Sequence, residues 1–160
     1  MIFLDLDGVF ADYRKGFHKV LGRDYYEDPK AAWPILDQVP NLFATLEPLP
    51  YAKVFFNQIH DLADEFDEGL AFLTALPLKT NYLVTADSDK EFWTRKHLDA
   101  RIPVICVPGW RYKKAYARVG SILIDDSARN IKDWNSSGAT GIVHFDNTVT
   151  IKTLELLLSA

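Results

Sequence analysis

Five stretches of the chain are apolar in continuous runs rather than in alternation: Ile2–Leu6, Leu70–Leu73, Val104–Val107, Ile122–Ile124 and Ile142–Phe145. A strand covered on both faces reads this way, so the pattern predicts a parallel sheet. Tyr82–Thr85 is a weaker sixth strand candidate. Between the runs the spacing turns helical. Val54, Phe55, Ile59, Leu62 and Phe66 recur at roughly one helical turn across Tyr51–Phe66. Ser88 and Glu91 have the spacing of a capping box, which predicts a helix running to Leu98. Ser127 is placed to cap a short helix that turns Ile131 and Trp134 inward and stops at Gly138. Leu154–Leu158 predicts a terminal helix. Strands alternating with helices predict an α/β fold with a parallel sheet flanked by helices.

One stretch departs from this rhythm. Between Tyr13 and Leu49 lie Tyr13, Phe17, Tyr25, Tyr26, Trp33 and Phe43, punctuated by Pro29, Pro34, Pro40 and Pro48. It is too long for a plain loop and too aromatic for a linker. We read 13–49 as a small helical insertion, or cap, set after the first strand. Residues 1–12 and 50–160 then form the core domain.

Composition changes this picture little. The chain has 160 residues, 48% of them hydrophobic, with 22 acidic and 18 basic side chains and a formal charge of -4. That length suits one domain with its own core. The acidic balance argues against duplex nucleic acid as a partner, because duplex binding leans on a basic surface. Cys106 is the single cysteine, so no internal disulfide forms. Its apolar neighbours predict a buried, inert thiol. The N-terminus has no basic segment ahead of its apolar run, and no run reaches the about 20 residues that span a bilayer. The expectation is a cytoplasmic protein off the membrane, acting as a monomer or homodimer.

The chemistry gathers at strand ends. Asp5-Leu6-Asp7-Gly8 closes the first apolar run, and Ile122-Leu123-Ile124 leads into Asp125-Asp126. Parallel sheets bind ligands beyond the carboxyl ends of their strands. Two carboxylates ~4 Å apart repel by about 4 kcal/mol at an effective dielectric of about 20. A hard divalent cation removes that cost, and an all-oxygen set suits Mg2+. Gly8 lets the backbone approach a ligand. Thr74, after Phe72-Leu73, offers a hydroxyl at a strand end; Thr85 repeats the pattern. Arg111-Tyr112-Lys113-Lys114 supplies basic groups between two strands.

In this order the motifs DLDGVFAD, FLTA, RYKK and ILIDD resemble those of the haloacid dehalogenase superfamily of phosphohydrolases, over most of the chain. Within it, the stretch Asn41–Pro50 and the helix through Asp89–Leu98 are similar to the 5'(3')-deoxyribonucleotidase branch, and that spacing selects Thr74 over Thr85. The resemblance implies a Rossmann-like core and Mg2+ as cofactor. It makes Asp5 the nucleophile toward phosphorus and Asp7 the general acid and base. The cation would be held by Asp5, the Asp7 backbone carbonyl and Asp125, with Asp126 supporting the shell. Thr74 and backbone N–H groups near Gly8 and Ala75 would hold phosphoryl oxygens. Lys113 or Lys114 would neutralise charge; the distance to Asp125 in the resembling branch favours Lys114, whereas a Lys-x-x-Tyr-Ala reading favours Lys113. Cap aromatics would stack on a base, with Phe17, Trp33 and Phe43 as candidates. The expected activity is Mg2+-dependent hydrolysis of a nucleoside monophosphate. The alternatives are another small phosphomonoester, or a binding module that has kept the fold without catalysis.

Overall fold

Residues with branched or aromatic side chains make poor turns and good buried strands, and the sheet is built from them. The computed structural model describes residues 1–77 and 81–160. Among these residues five strands are present: β1 (Ile2–Leu4), β2 (Leu70–Ala75), β3 (Val104–Val107), β4 (Ile122–Asp125) and β5 (Thr140–Val143). The pairings between these five strands are all parallel, in the order β3-β2-β1-β4-β5. Among the described residues six α-helices accompany them: α1 (Tyr13–Leu21), α2 (Pro29–Leu36), α3 (Ala52–Glu65), α4 (Ala86–His97), α5 (Ala128–Asn135) and α6 (Asn147–Leu158). The result is an α/β, Rossmann-like architecture.

The pleat sorts the strand residues onto two faces. Ile2, Leu4, Phe72, Ile122 and Ile124 pack with Phe55, Phe56 and Ile59 of α3, Trp93 of α4 and Leu154 of α6. On the opposite face Phe3, Ala71, Leu73 and Leu123 meet Ile131 and Trp134 of α5. The predicted cap over Ile131 holds: the Ser127 hydroxyl accepts from the Asn130 N–H at 3.4 Å. Phe17, Leu36, Leu42 and Phe43 of residues 13–49 belong to the same hydrophobic cluster as Ile2 and Leu4. That segment therefore shares its core with the sheet rather than packing by itself.

Three expectations fail locally. Tyr82–Thr85 is a 3-10 turn, not a strand. It leads straight into α4, and the cap residue Asp37 accepts the N–H groups of Asn81 and Leu83, both at 3.0 Å. α4 starts at Ala86, so Ser88 lies inside the helix and bonds back to the Thr85 carbonyl at 2.9 Å instead of capping. Cys106 is half-buried because β3 is an edge strand. No helix among the described residues is long and apolar enough to cross a membrane.

Candidate active site

From β1 the chain steps to β2 and β3 on one side, then returns to β4 and β5 on the other. The carboxyl ends of β1 and β4 flank that reversal, where open α/β sheets form their crevice. Leu4 and Ile124 are in register, so the next residues, Asp5 and Asp125, emerge side by side. The Asp5 N–H still bonds the Ile124 carbonyl at 2.9 Å, which fixes the spacing.

The three carboxylates of Asp5, Asp125 and Asp126 offer oxygens all within 4.8 Å of one another. Burial and the neighbouring Asp125 push the Asp5 carboxyl up to about 7, against the pull of Lys113. Burial and Asp125 also raise Asp126, to about 6. Lys113 is buried between two of the acids, its Nζ 2.8 Å from Asp5 Oδ1 and 2.6 Å from Asp125 Oδ2. Burial pulls the Lys113 ammonium down, but the two carboxylates outweigh it and hold its pKa above the ordinary lysine value. Asp125 is fixed further by the Ser127 N–H at 2.8 Å and by the Asn130 side-chain amide at 2.9 Å.

The two neighbouring lysines part company here. Lys114, favoured by the resemblance, lies outside the site; it is exposed, with its Nζ 3.4 Å from Asp133. Trp110–Tyr116 is a 3-10 helix of three residues per turn, so consecutive side chains point about 120° apart. Lys113 faces the carboxylates and Lys114 faces solvent. Gly8 has a local structural part. With φ at +82 it turns the chain back, and its own N–H is given to the Ala11 carbonyl at 2.9 Å. That amide is not free for a ligand. The reason for glycine is steric: a Cβ there would run into the Asp126 carboxylate.

A second lysine reaches the site that sequence reasoning overlooked. Lys90 of α4 is 1% exposed, contacts Asp7 Oδ2, and donates to the Thr74 hydroxyl at 2.9 Å. Its ammonium also sits 4.5 Å from the centre of the Phe43 ring. The Asp7 carboxylate has one buried oxygen, Oδ1, with no hydrogen-bond partner among the described residues. A sequence signal existed: Ala86, Lys90 and Trp93 fall on one helical face, and a lysine within such a face needs a buried acid.

Asp5, Asp7 and Asp126 open into a cavity of about 270 Å³ walled by Tyr13, Phe17, Tyr25, Tyr26, Trp33 and Phe43, with Ala75 at the end of β2. All three aromatic candidates thus reach it, but unequally. Phe17 and Phe43 are buried, and Phe17 makes edge contacts with Tyr13, Tyr25, Trp33 and Phe43 at centroid distances of 5.5 to 6.1 Å. Trp33 is partly open. Trp110 and Arg129 complete the wall and were not foreseen. A larger apolar hollow of about 570 Å³ adjoins it across Trp33 and Pro77 and contains none of the clustered acids. Compared with known proteins, the chain matches no family model and no curated sequence.

Proposed function

We propose that this chain is a Mg2+-dependent phosphatase that hydrolyses a phosphate monoester through Asp5, and that its substrate is a nucleoside monophosphate. The observation that supports this most is the set of Asp5, Asp125 and Asp126 around a buried lysine at the mouth of two adjacent parallel strands. Structural ion pairs seldom gather three carboxylates at one strand-end crevice, because each costs several kcal/mol to desolvate. The aromatic wall supports the nucleoside part, since every base offers a face to stack.

The donor set fits a hard cation. All ligand atoms are oxygens, they converge, and the crowding that raises Asp5 and Asp126 is what a divalent charge relieves. Asp5, Asp125 and Asp126 would hold it, with the Asp7 backbone carbonyl. When bound, Mg2+ supplies charge neutralisation at the phosphoryl oxygens and favours the ionised form of Asp5.

The chain's own groups then divide the work. An Asp5 carboxylate oxygen forms a bond to phosphorus as the ester P–O bond breaks, and the leaving oxygen takes its proton from Asp7. Water next attacks the phosphorus of the aspartyl phosphate. Asp7 takes that proton, and the P–O bond to Asp5 breaks to return the carboxylate and free phosphate. Lys113 steadies Asp5 and offsets the charge built up in both steps. Lys90 holds Asp7 and Thr74 in place, and the buried Thr74 hydroxyl accepts from the Lys90 ammonium, so its part is to anchor that lysine at the end of β2.

The test is phosphate release from deoxyribonucleotides, ribonucleotides and sugar phosphates, each with Mg2+ and with EDTA. Metal-dependent release favouring nucleoside monophosphates is expected. Release only from other esters would overturn the substrate and keep the Asp5 chemistry. No release from any of them, with Mg2+ bound, would favour a binding module.

A further inference from the structure

The cavity has a charged inner end and an aromatic outer end, where guanidinium groups stack on the wall rings: Arg14 on Tyr26 at 4.7 Å, and Arg111 and Arg129 on Trp110. Among the described residues lining it, Arg129 is the only basic one. Its guanidinium lies 3.9 Å from the centre of the Trp110 ring. It makes no salt bridge or side-chain hydrogen bond among the described residues. Asp133, one turn further along α5, is taken by Lys114 instead. Burial holds the Tyr25 phenol above its ordinary pKa, and the charge of Arg129 is near enough to pull weakly against it. A guanidinium stacked on an indole is held in plane while its N–H edge stays free, and that edge matches the two oxygens of a phosphate or carboxylate.

The scissile phosphate does not call for this group. Lys113, bonded to Asp5 and Asp125, and the cation proposed at the carboxylates already serve the inner end. Resting on the phosphatase reading, we propose that Arg129, braced on Trp110, binds a second anionic group carried by the leaving side of the substrate. A nucleoside monophosphate then fills only part of the site, and a phosphomonoester whose leaving group bears a further phosphate or carboxylate binds more tightly. A nucleoside 3',5'-bisphosphate and a sugar bisphosphate are two sources of that one chemistry.

The experiment is calorimetric binding with Mg2+ to the Asp5→Asn protein, which reads affinity without turnover. Two ligand pairs are titrated: a nucleoside monophosphate against its 3',5'-bisphosphate, and a hexose monophosphate against its bisphosphate. The expected result is a preference for the doubly charged member of at least one pair, by roughly ten- to a hundredfold, the worth of one charged hydrogen-bonded contact. The pair that shows it identifies the source. Arg129→Ala and Arg129→Gln should each erase most of that ratio. Lys132→Ala, which removes the same charge from the exposed side of α5, should keep it. No preference in either pair, a preference that survives both Arg129 variants, or an equal loss with Lys132→Ala would overturn the proposal. Wild-type turnover is measured separately. If no ester releases phosphate, the phosphatase reading fails while the affinity ratio still decides the role of Arg129.

Discussion

The inner and outer ends of the cavity are stabilised in opposite ways. At the inner end the most buried groups are charges out of water held by several partners: Lys113 by two carboxylates, and Asp125 by Lys113, Ser127 and Asn130. At the outer end the groups are rings in edge contact, and no single contact is indispensable. Removing one member of a buried charge network strands its partners, whereas removing one ring from a cluster loses only its own area. Function at the inner end should therefore fail sharply, and at the outer end by degrees.

The largest effect should come from Asp5→Asn. Loss of a covalent nucleophile should lower kcat at least about 10^4-fold and prevent any phosphate from being trapped on the protein. Substantial turnover in a clean preparation would remove Asp5 from that role. Next comes the contrast between adjacent lysines. Lys113→Met leaves Asp5 and Asp125 buried without their cation and should cost about 3–5 kcal/mol of stability and about 10^2-fold or more in kcat. Lys114→Met should stay within about 0.5 kcal/mol, because its 3.4 Å pair with Asp133 is at the surface. Denaturant midpoints and kinetics of the two variants test this. Equal effects would show that the inner end is not the network described.

A third prediction uses pH. The folded Asp5 and Asp126 titrate at about 7 and about 6, above the 3.8 of an unperturbed aspartate. Between these values the metal-free folded state holds protons that the unfolded chain has lost. This contribution to stability is therefore full below about pH 4 and is lost as pH rises through 6 and 7. Mg2+ should then raise Tm more at pH 7.5 than at pH 5, and Asp126→Asn should shrink the difference. A Mg2+ shift independent of pH would place the cation away from these acids.

How much of this was legible in the sequence follows from period and distance. Buried parallel strands announce themselves by unbroken apolar runs, so β1 to β4 fall close to their expected places and both acid pairs land on strand ends. β5 is displaced toward Thr140 because its partner register with Ile122 sets its limits, not its own hydropathy. The choice between Lys113 and Lys114 was not legible. It depends on the phase of a 3-10 turn that ordinary helical spacing does not describe. Lys90 lies 83 positions from Asp7, and Arg129 meets Trp110 across a loop and a strand. Pairings at that separation are set by the completed sheet, and no local pattern encodes them.

The smallest effect should separate two rings of the outer end. Trp33 is partly exposed and faces the cavity, while Phe17 is 3% exposed and touches four other rings. If stacking on a base is the work of the wall, Trp33→Leu should raise KM for a nucleoside monophosphate about fivefold, near the ~1 kcal/mol lower end for base–aromatic stacking. It should leave KM for a small phosphate ester without a ring close to its starting value. Phe17→Leu should do the reverse, lowering Tm through lost packing while moving the two KM values together. Were Trp33→Leu to shift both esters equally, its part would be in shaping the segment rather than in contacting the substrate. The outer end would then be a second core, and selectivity would rest on Arg129 and Trp110 opposite it.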